Sequence, residues 1–169
     1  MPGSGVEIDV VHKEEGVFFH RFFCCPKPSI DGFLNGCRLF LSIDSIALNG
    51  KWDGHLPSAT ALDGHNSMFP VAFGFFDGET TDNWTWFMQQ LGNPPHLAMS
   101  SNVCKGLENA VKKVYPWADH RECFVHLMKN FSKRFQGPAF GRMYPAARTF
   151  QPKYHEYLMQ KMYEVNKKV

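Results

Sequence analysis

The stretch Cys37-Arg38-Leu39-Phe40-Leu41-Ser42-Ile43-Asp44 alternates Leu39, Leu41 and Ile43 with Phe40, Ser42 and Asp44. A period of two puts one set on each side of an extended backbone, so the segment reads as a strand with one face in a core and Asp44 near its end. Leu56–Leu62 and Pro70–Phe76 read as two more strands, and the turn dipeptides Asn49-Gly50, Asp63-Gly64 and Asp77-Gly78 punctuate the set. Sequential strands joined by short turns make an antiparallel meander.

The period then lengthens. Thr80-Thr81-Asp82 offers a cap for a helix whose Trp84, Phe87, Met88 and Leu91 recur at i, i+3, i+4 and i+7, and which ends before Pro94-Pro95. His96–Ser100 reads as a fourth strand, and Leu107, Ala110, Val111 and Val114 as a helix running to Pro116. A short fifth strand is expected around His120–Cys123. Phe124, Leu127, Met128, Phe131 and Phe135 mark another amphipathic helix closed by Gly137-Pro138, and a last helix begins at Pro152. Residues 1–16 mix Gly, Ser and acids without period and read as a loose leader, with order beginning near Val17. The expected class is α/β, a mixed sheet in which a three-strand antiparallel meander is followed by alternating helices and strands. That order suits a ribonuclease H-like core spanning 17–169.

At 169 residues the chain is about one domain long, and 44% hydrophobic with 15% aromatic residues excludes a disordered or low-complexity character. The net charge of +2 is too small to argue nucleic-acid binding by itself. Its distribution is uneven: from Lys129 onward nine Lys or Arg, Lys167 and Lys168 among them, face only Glu156 and Glu164. Lys129, Lys133 and Arg134 are therefore candidates for contact with a DNA backbone, beside the plainer reading of solvated helix faces. Five cysteines in irregular positions, with no secretory signal in the first ten residues, imply a reduced intracellular setting. The longest apolar stretch, Met68–Phe76, falls far short of the roughly 20 residues of a membrane span, so a soluble protein without membrane contact is expected. Neither a G-x-G-x-x-G nor a Walker-type loop is present, which leaves nucleotide-driven work without support.

Chemistry would gather at strand ends. A two-metal phosphoryl-transfer centre holds two Mg²⁺ ions roughly 4 Å apart between carboxylates from neighbouring strands. Asp44 offers one such carboxylate, while the end of the fourth strand offers Ser100, Ser101 and Asn102. Taken alone, Asp44 reads as one of the strand-end carboxylates that every domain carries, ahead of a metal ligand. Cys123-Phe-Val-His126 supplies half of a tetrahedral zinc set at helical i, i+3 spacing, and no second pair follows. The other reading of Cys123 and His126 is a buried, hydrogen-bonded pair.

In order along the chain, Gly36-Cys-Arg, Ile43-Asp44, Leu48-Asn-Gly-Lys51, Met68-Phe-Pro-Val-Ala72, Asn83-Trp-Thr-Trp-Phe87, Cys104-Lys-Gly-Leu-Glu108, Tyr115-Pro116 and His120-Arg-Glu-Cys123 to His126 resemble the transposase domain of plant Mutator-like elements (MULE). This is a DDE-type family with a ribonuclease H-like fold, and the resemblance covers about residues 18–165. It implies nuclear cut-and-paste DNA transposition, in which three acids bind Mg²⁺ or Mn²⁺ and activate water and then a DNA 3′-hydroxyl. Asp44 would be the first acid and metal ligand. The position of the second is read by Asn102, Cys123 and His126 match the family's C-x-x-H signature, and the third acid, a Glu, is expected beyond the end of this chain. Glu108 is a conceivable substitute whose direction the sequence does not give. The family's flanking zinc modules are not visible.

Asn keeps a carbonyl oxygen but gives up a formal charge, so binding of Mg²⁺ or Mn²⁺ is expected to suffer. Three readings follow: a degenerate or partial core with lost or weakened strand-transfer activity, a non-enzymatic DNA-binding or transcriptional regulator, and an active transposase whose remaining acids come from a longer chain. Each takes DNA, such as transposon ends, as partner, and each is compatible with a homo-oligomer.

Overall fold

The structure, a computed structural model, describes residues 2–51, 53–102, 104–134 and 137–165. Phe135, Lys167 and Lys168 lie outside them. The chain forms two compact units, Met1–Cys123 and Phe124–Val169.

Among the described residues the first unit holds a seven-stranded mixed sheet. Its strands are β1 (Gly5–Lys13), β2 (Gly16–Cys25), β3 (Phe40–Leu48), β4 (Gly54–Leu62), β5 (Met68–Phe75), β6 (Ala98–Ser101) and β7 (Asp119–Glu122), in the order β1-β2-β5-β4-β3-β6-β7. The meander β3-β4-β5 is antiparallel, as expected, and β6 and β7 add in parallel beside β3. Helices α1 (Lys27–Gly36), α2 (Thr81–Gln90) and α3 (Lys105–Val114) complete the unit.

The period-two reading of residues 37–44 stands, with a shifted frame. Leu41 and Ile43 are buried, and β3 runs on past Asp44 to Leu48 because β4 keeps pairing with it down to Leu48↔Gly54. Parallel pairing with β6 stops earlier, at Ile43↔Ser101. Asp44 therefore sits inside a strand, at the point where its parallel neighbour ends.

The core lies on the helix side. Trp84 of α2 packs edge-on against Phe76 and Phe87 at ring-centroid distances of 5.1 and 6.0 Å, and Phe23 meets Phe87 at 5.3 Å. Leu97, Met99, Leu107, Ala110 and Val111 extend the same cluster across α3. Thr80 caps α2 by accepting from the Asn83 backbone N–H at 3.1 Å, as the sequence predicts. The Tyr115 hydroxyl lies 2.7 Å from the carbonyl oxygens of both Met88 and Gly92, which ties the end of α3 to that of α2. Its burial raises the phenol above its ordinary value.

Three elements depart from the sequence reading. Residues 5–13, read as part of a loose leader, form β1 in a hairpin with β2, closed through Glu14-Glu15 with Gly16 at φ 141°, a conformation that favours glycine. Arg21 fastens this hairpin to α2. Its Nε donates to Asp9 at 2.7 Å, its Nη1 donates to Asp82 at 2.9 Å and Asn83 at 3.1 Å, and its guanidinium lies 4.8 Å from the centre of the Trp86 ring. Burial raises the Asp9 carboxyl, but Arg21 and His20 outweigh it and hold Asp9 below its ordinary value. α1 is also unforeseen, since Pro28, Gly32 and Gly36 give it poor propensity; Phe33 is buried beneath it and the Phe69 ring occupies the space a Cβ on Gly32 would need.

The second unit contains α4 (Phe124–Arg134), α5 (Pro138–Arg148) and α6 (Pro152–Val165). Ala146, Leu158 and Met162 form its small core with Met143 beside them, and Arg142 donates to the Lys161 carbonyl at 3.0 Å. α5 is the third departure, begun by the proline that was read as closing the previous helix.

Candidate functional site

The ends of β3 and β6 bring Asp44 and Asn102 together. Asn102 follows β6 directly, and its Nδ2 donates to Asp44 Oδ1 at 3.2 Å. The Ser45 backbone N–H donates to the same oxygen at 2.9 Å. An ionised carboxylate only accepts hydrogen bonds, so the amide meets it through nitrogen. Asn102 Oδ1 is consequently turned aside, buried and without a hydrogen-bond partner among the described residues.

That arrangement decides the fit of a metal. A cation between the two side chains needs oxygen lone pairs from both, whereas here an N–H points at the carboxylate. Among the described residues no group of three or more His, Cys, Asp and Glu gathers as a ligand set. One carboxylate and a reversed amide do not fit a two-metal centre.

One further carboxylate reaches the neighbourhood. Glu79 accepts from Ser45 Oγ at 2.8 Å and lies 3.9 Å from His55 Nδ1, which is itself 3.5 Å from Ser45 Oγ. Sequence reasoning missed this trio, because Glu79 is signalled only by its place between the turn Asp77-Gly78 and the Thr80 cap. Gly106 explains how Glu79 is held: a Cβ there would collide with the Glu79 carbonyl and with Thr80, so the first turn of α3 packs directly on that backbone.

Beyond Asn102 a cavity of about 560 Å³ opens between β6, β7 and α3. Ser101, almost fully buried, has its Oγ 2.7 Å from His120 Nε2 on this wall. Burial lowers the His120 imidazole below its ordinary value, against the opposing charge of Glu108. Glu108 also lines the cavity, where it pairs with Lys112 at 2.6 Å on an exposed helix face.

Residues 40–130 match the family described as the MULE transposase domain. The chain belongs to that family. It is also similar to Protein FAR1-RELATED SEQUENCE 6 of Arabidopsis thaliana, with 26% identity over 99 residues that make up 56% of this chain. The match takes in 14% of the length of that protein.

The motifs that carry the MULE resemblance have structural work of their own. In Asn83-Trp-Thr-Trp-Phe87, Trp84 and Phe87 fill the core, Trp86 lies under Arg21, and Asn83 Nδ2 donates to Asp77 at 2.8 Å and to the Gly78 carbonyl at 2.9 Å. In Cys104-Lys-Gly-Leu-Glu108, Gly106 permits the close approach to Glu79 and Leu107 is buried. Cys123 ends the first unit, with its N–H donating to the Ser101 carbonyl at 2.7 Å, whereas His126 stands in the first turn of α4 in the second. Lys129, Lys133 and Arg134 are exposed on α4, and the last two fall in its final turn, where cations also offset the helix dipole. No helix among the described residues is long and apolar enough to cross a membrane.

Proposed function

We propose that this MULE domain is a transposase-derived, ribonuclease H-like core whose metal-dependent DNA strand-transfer chemistry is lost or weakened. The observation that carries the reading is the hydrogen bond from Asn102 Nδ2 to Asp44 Oδ1. In a DDE centre the position of Asn102 supplies a second negative charge toward Mg²⁺ or Mn²⁺. Here the amide N–H occupies the side of Asp44 that such a cation would take, and removal of one charge at close range costs on the order of several kcal/mol of cation attraction. The meander followed by two parallel strands supports the ribonuclease H-like assignment, with Asp44 and Asn102 at adjoining strand ends.

DNA remains the partner of this reading, in a nuclear setting. Lys129 and Lys133, one helical turn apart on α4, and Arg134 beside them would meet phosphates without reading bases. A second reading, a non-enzymatic DNA-binding regulator built on the same domain, fits the same amide in place of a carboxylate at Asn102. Both readings predict little or no nicking of a supercoiled plasmid in the presence of Mn²⁺. Efficient Mn²⁺-dependent nicking that disappears in Asp44→Ala would overturn them in favour of an active transposase core.

A further inference from the structure

The two edges of the sheet are built differently. β7, at one edge, is four residues long, and all of them, Asp119, His120, Arg121 and Glu122, carry ionisable side chains. Short, charged edges are how sheet proteins avoid pairing with other chains. β1, at the other edge, is nine residues long and contains no proline. Val6 and Ile8 are 52% and 62% exposed, and Val10 and Val11 are exposed as well. The one irregularity in its pairing with β2, between Asp9 and Val10, sets Asp9 against Arg21 and Val10 against Phe19, so the extra residue lies on β2 and β1 keeps its regular alternation. Its outer row of backbone N–H and C=O groups is that of an unblunted strand.

We propose that β1 pairs antiparallel with β1 of a second copy of this chain, about a two-fold axis at Val10, and joins two sheets into one. Charge selects both the partner and the register. Residues directly opposite each other in an antiparallel pair share a face, so a symmetric pair must be centred on a residue. Centring on Ile8 would set Glu7 against Asp9, and centring on Asp9 would set Asp9 against itself, each a like-charge contact. Centring on Val10 sets Glu7 against Lys13 twice, Ile8 against His12 twice, Asp9 against Val11 twice and Val10 against Val10, which engages residues 7–13 of both strands. Centring on Val11 sets Asp9 against Lys13 twice, but it brings Glu7 onto Glu15 beyond the turn and shortens the paired stretch. The Val10 register is thus the longest within β1 that sets no like charges opposite each other. The pairing involves neither Asp44 nor Asn102, so it stands whatever the fate of the metal site.

The test is sedimentation equilibrium on this 169-residue chain together with Glu7→Lys, Lys13→Glu and the double exchange Glu7→Lys/Lys13→Glu, each checked for an unchanged thermal transition. The native chain is expected to dimerise. Each single exchange places like charges opposite at both symmetric positions and is expected to weaken the dimer about tenfold, and the double exchange to restore it. A native chain that stays monomeric into the millimolar range overturns the proposal. So does a dimer indifferent to the single exchanges, or one that the double exchange leaves weakened.

Discussion

Ile43 and Asp44 are consecutive residues of β3 that lie on opposite faces of the sheet, and the two faces have been kept to different standards. Around Ile43 the packing is dense: Ala59 lies opposite on β4, and the apolar cluster continues through Trp84, Phe87 and Leu107, with the buried Ser101 of β6 beside Ile43 as its polar member. Around Asp44 the neighbour is a polar one, the Asn102 amide, which the proposed reading takes to stand where a DDE site holds a second carboxylate. A buried methyl group has no substitute without a cavity or a clash, so the packed face resists change. Asp and Asn have nearly the same shape, and the amide gives Asp44 a hydrogen bond where a cation would give it charge. Chemistry can therefore leave this site without disturbing the scaffold that positions it.

The largest effect should come from breaking the packed face. Trp84→Ala removes the side chain at the centre of the Phe76 and Phe87 contacts and is expected to cost about 3–5 kcal/mol in urea unfolding. A loss below about 1 kcal/mol would show that the helix side of the sheet is not the organising core. Next comes the seam between the two faces. Gly106→Ala forces the Glu79 backbone away from α3 and should cost about 1–3 kcal/mol, while leaving the two strand ends that carry Asp44 and Asn102 in place. Unchanged stability would mean that α3 does not pin Glu79.

Two smaller effects sharpen the chemical side. If α4 contacts DNA, replacing Lys133 and Arg134 with Gln should lower the slope of log binding constant against log salt by about 2, and an unchanged slope removes both from the contact set. The smallest effect concerns His120. Burial holds its imidazole below 6.5, so the unfolded chain takes up a proton that the folded chain resists. Stability is then full above that value and declines as pH falls below it. His120→Gln can keep a hydrogen bond to Ser101 and should flatten this decline. An equally steep acid limb in the variant would assign the effect to other groups.

How much of this was legible in the sequence follows from where the information lies. The meander, α2, β6, α3 and α4 follow from local periodicity, because each buries one face and each face is written in a single run of residues. The β1 hairpin carried the same alternation in Val6, Ile8 and Val10, but its Gly and acidic residues masked it, and Arg21, which fixes it to α2, acts through residues distant in sequence. α1 was illegible for a similar reason, being held by Phe33 and Phe69 against its own poor propensity. Strand order set Asp44 against the end of β6, with Ser100, Ser101 and Asn102 as candidates, and the family resemblance singled out Asn102 among them, since parallel strands join residues that chain order separates. Glu79 escaped altogether: its approach to Ser45 depends on a backbone contact with Gly106 that no spacing announces.

The central claim is that the fold survives with its metal site disabled at one position. It is tested most directly by titrating Mn²⁺ into the native chain and into Asn102→Asp in a calorimeter, with Asn102→Asp/Asp44→Ala as control. The account predicts no binding by the native chain, binding by Asn102→Asp, and its loss in the control. Binding of Mn²⁺ by the native chain that Asp44→Ala abolishes would contradict it.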